Sequence, residues 1–155
     1  MVRKNATKLF IFFSVAGLLV SLYALKQHYA PLGTSVCNVS ATLNCDLVNK
    51  GPYGEIYGFP VAAIGIIGYL MILIVATQFL RTKDPVLGKA MLFLLAGGVA
   101  FSLYLTALEA FVIYAWCLVC LASLSSISGA AFTGFMVYRD LEPQSPPPSL
   151  EPQKG

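Results

Sequence analysis

The stretch AMLFLLAGGVAFSLYLTALEAFVIYAWCLVCLASLSSISGAAFTGFMVY, from Ala90 to Tyr138, decides the fold. It holds 49 residues and one charge, Glu109. As a single helix it would be about 74 Å long at 1.5 Å per residue, against a bilayer core of about 30 Å. It therefore crosses twice. No Gly or Pro marks the reversal, so length and polarity place it between Glu109 and Trp116.

Working outward, Phe59 to Leu80 is an uncharged run, and Leu9 to Leu25 is an apolar run that extends through Thr7 and Tyr29. The expected fold is an all-α integral membrane protein. It is a four-transmembrane-helix bundle over 1–140 with spans at about 9–29, 59–80, 90–109 and 117–138. The remainder, 141–155, reads as a disordered cytoplasmic tail, because five prolines among Gln and Ser cannot build a core. Composition agrees: 57% of residues are hydrophobic, 11% are charged, and mean hydropathy is +0.76. Soluble domains carry about a quarter charged residues. A cytosolic enzyme is excluded, and so is nucleic-acid binding, which needs a basic stripe.

Orientation follows from Lys and Arg in the short flanks. Arg3, Lys4, Lys8, Arg81, Lys83, Lys89, Arg139 and Lys154 belong to one side, and only Lys26 and Lys50 to the other. Both termini are expected in the cytoplasm. The first span reads as an uncleaved anchor, since no small-x-small site follows it. The loop between spans one and two, with Cys37 and Cys45, then lies outside, as do Cys117 and Cys120. Disulfides persist in that compartment.

Cys117 and Cys120 are spaced i and i+3, so on one helix they share a face and their sulfurs reach each other. In a first turn, free N–H groups and the helix dipole favour a thiolate. Apolar neighbours, Trp116 among them, suit a hydrophobic acceptor. Structural disulfides and a zinc site are the competing readings; Cys-x7-Cys spacing in a lipid-facing bundle argues against zinc. Leu121 excludes a c-type haem site, which needs His after the second cysteine. The loop, broken by Pro31, Gly33, Gly51, Pro52, Gly54, Gly58 and Pro60, is expected to move. Asn38-Val39-Ser40 is a formal glycosylation sequon of little weight. Gly17 with Ser21, Gly65 with Gly68, Gly97 with Gly98, and Gly129 read as sites of close helix packing. Glu109 reads as an interfacial residue ending span three, ahead of its alternative as a proton relay. His28 reads as an interfacial residue just outside span one, and nothing places it beside a cysteine.

Ser21-Leu22-Tyr23-Ala24-Leu25, the Cys37 and Cys45 pair, Gly58-Phe-Pro-Val-Ala62 and Cys117-Leu-Val-Cys120 together resemble the vitamin K epoxide reductase family. Glu109 ahead of Cys117 resembles its bacterial branch. The resemblance implies a four-helix bundle around a quinone of ubiquinone or menaquinone type. It assigns Cys37 to a separate thioredoxin-fold partner on the extracytoplasmic side and Cys45 to electron transfer onto Cys117. Cys120 would face the quinone and form a charge-transfer or covalent adduct with it. The implied location is a bacterial inner membrane with the cysteines facing the periplasm. A loop half-helix would cover the pocket, with Leu43 and Val48 as apolar cover. The polar contacts that vertebrate vitamin K reductases place on the naphthoquinone head fall here on Val61 and Leu124, and a serine common in the loop of relatives is Gly51. These departures favour plain quinone reduction over epoxide reduction. The alternatives are a vitamin K quinone or epoxide reductase, and a non-catalytic membrane protein with structural disulfides.

Overall fold

The computed structural model describes residues 2–33, 35, 37, 38, 40 and 42–141. Apart from Leu141, the expected Pro-rich tail lies outside the described residues, as does Val39 of the sequon. Helix α1 is Val2–Tyr29, followed by the five-residue α2, Cys45–Asn49. A small hairpin pairs β1, Glu55–Ile56, with β2, Phe59–Pro60, across Tyr57 and Gly58, both at positive φ. Then come α3, Val61–Thr82, and α4, Pro85–Leu108; α4 runs directly into a π turn, Glu109–Ile113. Helix α5 is Leu118–Leu141. Among the described residues four helical segments are long and apolar enough to cross a membrane: Lys4–Tyr29, Val61–Thr82, Pro85–Ile113 and Leu118–Leu141. The protein is a four-helix membrane bundle.

Several helix ends lie beyond the apolar runs, and local chemistry explains each. Helix α4 starts at Pro85 because Asp84 Oδ1 accepts from Val86 N–H at 2.8 Å while Pro85 fits the first helical position. Lys83 takes a left-handed conformation and donates its N–H to Phe79 O at 2.8 Å, ending α3 two residues before α4 begins. At the other end of this hairpin the third span continues past Glu109 to Ile113, and the reversal falls at Tyr114, which has φ of 54°. Wider π winding replaces the expected helix end at Glu109.

Helix α1 packs on α3 and α5, and α4 packs on the same two, so the helices form a ring. Alternating directions put the α1 start, α3 end, α4 start and α5 end together. That half holds the main core, with Phe10, Phe79, Met91, Leu95, Ala130 and Val137 buried. In lipid this packing rests on van der Waals contact, which small residues make closer. Gly17 of α1 lies so near α3 that a Cβ there would overlap the Tyr69 ring, and Gly129 of α5 receives Phe13. The Tyr69 hydroxyl continues across the bundle to donate to Ser123 O at 3.1 Å.

Not every glycine is used this way. Gly68 and Gly97 have open space where a Cβ would stand, because they face a cavity in the opposite half. The expectation of close packing is corrected at these two positions. Gly17→Ala should cost about 1–3 kcal/mol through overpacking. Gly97→Ala should cost nothing, since Ala is the better helix former by up to ~1 kcal/mol. Thermal unfolding of both variants in detergent checks this; equal losses would contradict the difference between the two faces.

Candidate active site

The cysteine half is built around the loop between α1 and α3. Asp46, the second residue of α2, is its hub. Its carboxylate accepts from Gly33 N–H and Asn38 Nδ2, each at 2.7 Å, and from the Ser35 hydroxyl, and it pairs with Lys50 Nζ at 3.0 Å. Burial alone would raise its pKa. The bonds from Ser35, Gly33, Lys50 and Asn38 outweigh that and hold the carboxyl well below the usual carboxylate range. These partners flank Cys37 while Asp46 adjoins Cys45, and the two cysteines form a disulfide with Cα atoms 5.8 Å apart. Asn38, the sequon residue, spends its side chain on Asp46.

The loop is sewn to the segment before α5 by a parallel bridge between Leu43 and Trp116, with Trp116 N–H donating to Thr42 O at 2.7 Å. Cys45 and Cys117 each follow shortly after their bridge residue, so the bridge lays the two cysteine-bearing segments side by side. Cys37, Cys45, Val48, Ala115 and Cys117 form one buried cluster, against which Cys120 packs. A small cavity of about 20 Å³ touches all four cysteines. Cys37 and Cys45 are buried, so the loop expected to move is packed and bonded here.

Helix α5 starts at Leu118, and Cys117 stands at its cap. Cys117 O accepts from Leu121 N–H at 3.0 Å, and Cys117 Sγ accepts from Cys120 N–H at 3.3 Å. The sulfur thus takes the place that a Ser or Asp oxygen takes at other helix starts. Hydrogen bonding from Cys120, through its thiol and then its N–H, lowers the Cys117 pKa against burial and the neighbouring Glu109 charge. Among the described residues Cys117 and Cys120 are free thiols.

A larger cavity of about 340 Å³ opens between the helices beside Cys120. Its walls are mostly apolar, from α1, α3, α4 and α5, with Gly65, Gly68, Gly97 and Gly98 making room. Val48, Asn49, Tyr53 and Gly54 of the loop close its upper end. This cover is tied to α1: Asn49 Nδ2 donates to Ala24 O at 2.7 Å, and His28 binds Asn49 O at 2.7 Å and Glu55 Oε1 at 3.0 Å. His28, at the end of α1, therefore also holds the cover.

The chain matches the model described as Vitamin K epoxide reductase family over residues 8–135. It belongs to that family. A search among curated proteins finds no match. Membership makes the chain an integral membrane oxidoreductase of the disulfide and quinone type. The cavity suits a quinone: about 340 Å³ is the size of a small-molecule site, apolar with a few polar groups. Asn49, Tyr53, Glu109 and Cys120 are those at the end where the thiols lie.

Of the residues singled out in the sequence, Cys120 and Val61 line this cavity and Cys117 does not. Trp116 and Leu124 also lie off it. Trp116 is held in the bridge and 41% exposed, while Leu124, one position past Ser123, turns toward the main core. Val48 covers the cavity, but Leu43 is taken by the bridge. At Gly51 a Cβ would strike Leu47 O, so the glycine is required by the close return of the chain onto α2. Glu109 departs furthest from its expected place: it is 1% exposed, faces inward, and its Oε2 accepts from Cys117 N–H at 3.0 Å. A buried carboxyl takes a partner where it finds one, and the turn supplies an N–H.

A lowered thiol pKa leaves the thiolate populated at lower pH, so it titrates in below a free cysteine. Ultraviolet thiolate absorbance of the protein reduced only at Cys117 and Cys120 should show its first rise there. In Cys120→Ala, which removes the thiol donor, that rise should move to higher pH; an unmoved midpoint would refute the assigned cause.

Proposed function

We propose that this chain oxidises a thioredoxin-fold dithiol protein and passes the electrons through two cysteine pairs to a membrane quinone of ubiquinone or menaquinone type. In this reading it supports disulfide formation in exported proteins. The observation that carries it is the sharing of sulfurs between the cavities: the small one touches all four cysteines, and Cys120 alone among them lines the large one. Cys37, in the loop, is the sulfur assigned to the partner. Cys45 attacks a Cys117–Cys120 disulfide at Cys117, and the resulting dithiol is the form in which the two thiols stand free.

Each exchange requires an attacking thiolate and a reachable sulfur. The cap bond supports Cys117 as a thiolate once its disulfide is opened, and the bridge brings Cys45 beside it as the attacking sulfur. Two electrons leave the Cys117 and Cys120 sulfurs as their S–S bond forms, and the quinone takes them with two protons to become quinol. The apolar walls hold the acceptor, and the tied cover keeps bulk water from it. Val61 at the cavity wall offers no polar contact, which supports reduction of a plain quinone over an epoxide. The weight of Lys and Arg on one side supports termini in the cytoplasm and cysteines in the periplasm of a bacterial inner membrane.

The test is anaerobic quinol formation by purified protein with a reduced thioredoxin-fold donor. Wild type should turn over, and Cys120→Ser should fall to background. Cys37→Ser should lose the protein donor yet keep turnover with a small dithiol. Undiminished quinol formation by Cys120→Ser would overturn the assignment, and equal loss with both donors would overturn the role of Cys37.

A further inference from the structure

The scheme above leaves two protons without a carrier, and one side chain is placed to carry one of them. Among the described residues Glu109 is the one carboxyl lining the large cavity, and it is 1% exposed. Its two oxygens differ. Oε2 is held as an acceptor by Cys117 N–H at 3.0 Å, whereas Oε1 is buried with no hydrogen-bond partner among the described residues. A carboxyl oxygen of Glu109 and the sulfurs of Cys117 and Cys120 all lie within 4.8 Å of one another. The backbone at this point is a π turn, a winding often found at functional sites, and it is followed at once by the thiols.

We propose that Glu109 is the proton carrier of the site, taking a proton from the thiols on Oε1 and delivering it to a quinone oxygen. This rests on the quinone-linked reading. Reduction of the Cys117–Cys120 disulfide by the Cys37 and Cys45 thiols re-forms the Cys37–Cys45 disulfide. It leaves Cys117 as thiolate, Cys120 as thiol and the second proton on Glu109. When the Cys117–Cys120 bond forms again, the electron pair leaves to the quinone with the Cys120 proton and the Glu109 proton, and the carboxylate is restored. Atoms and charge balance in both halves, and no further oxidant is needed. The other titratable residues lining the cavity are Cys120 from α5, Tyr53 from the loop and Tyr69 from α3. Cys117 adjoins from the turn. No Asp, Lys, Arg or His appears among the described lining residues.

Glu109→Gln is the informative variant, because its amide oxygen still accepts from Cys117 N–H while the group no longer carries a proton. The first readout needs no quinone: infrared difference spectra between the disulfide and dithiol forms of the Cys117 and Cys120 pair, in full-length protein. Wild type should gain the carbonyl stretch of a protonated carboxyl on reduction, shifted by ¹³C-glutamate labelling and missing in Glu109→Gln. The second is quinol formation, which should fall about 100-fold in the variant, the lower end of what general acid catalysis supplies. If Glu109→Gln does not fold, the isotope-shifted band in wild type decides alone. Lack of that band, or a variant rate close to wild type, overturns the carrier and leaves Glu109 a positioning residue. Lack of quinol formation by wild type itself overturns the functional reading first, which separates the two failures.

Discussion

The bond from Cys117 N–H to the Glu109 carboxylate is the constraint on which the working half of this protein depends. A chain that turns back at the membrane edge must find partners for its N–H groups, and this turn has no Gly or Pro to ease it. Glu109 serves three of them. Its backbone oxygen takes the N–H groups of Tyr114 and Ala115, and its side chain takes that of Cys117. The same bond decides where α5 begins. With Cys117 held at the cap, Cys120 falls three residues on, facing the large cavity, and Cys117 lies in the buried cluster with the disulfide of the loop.

The loop adds a second constraint of the same kind. Asp46 gathers donors from both sides of Cys37, so the loop keeps its shape through a buried ionic hub as well as through the disulfide. The bridge at Leu43 and Trp116 then fixes the loop against α5, and His28 and Asn49 fix its far end against α1. One short helix, α2, thus carries a disulfide sulfur at one end and part of the cover of the large cavity at the other.

Much of this was legible in the sequence. Forty-nine residues with a single charge have to cross twice, and the Cys-x-x-Cys pair has to share a face wherever a helix begins near it. What was not legible depended on tertiary neighbours. Gly17 and Gly97 are the same residue in equally apolar helices, yet one admits a tyrosine ring and the other leaves a void. Nothing local separates them. Glu109 looked like a helix end because a charge in lipid is normally found at the edge; only the π turn and the distant N–H of Cys117 explain why it is inside. Asn49 and Tyr53 read as loop residues because their reach over the cavity is set by the hairpin and by α1.

The π turn also bears on how this family can vary. An insertion or deletion is usually absorbed by a loop. At 109–113 the chain is wound wider than an α-helix within a transmembrane span. Loss of one residue there would change the winding just ahead of the reversal and shift the segment that sets Cys117 N–H on the Glu109 carboxylate. The bundle would still span the bilayer, with its apolar surface intact, but the carboxyl and the two thiols would no longer look at one another. Length at this turn is therefore constrained as well as identity, because the carboxyl and the two sulfurs must stay within reach of one another.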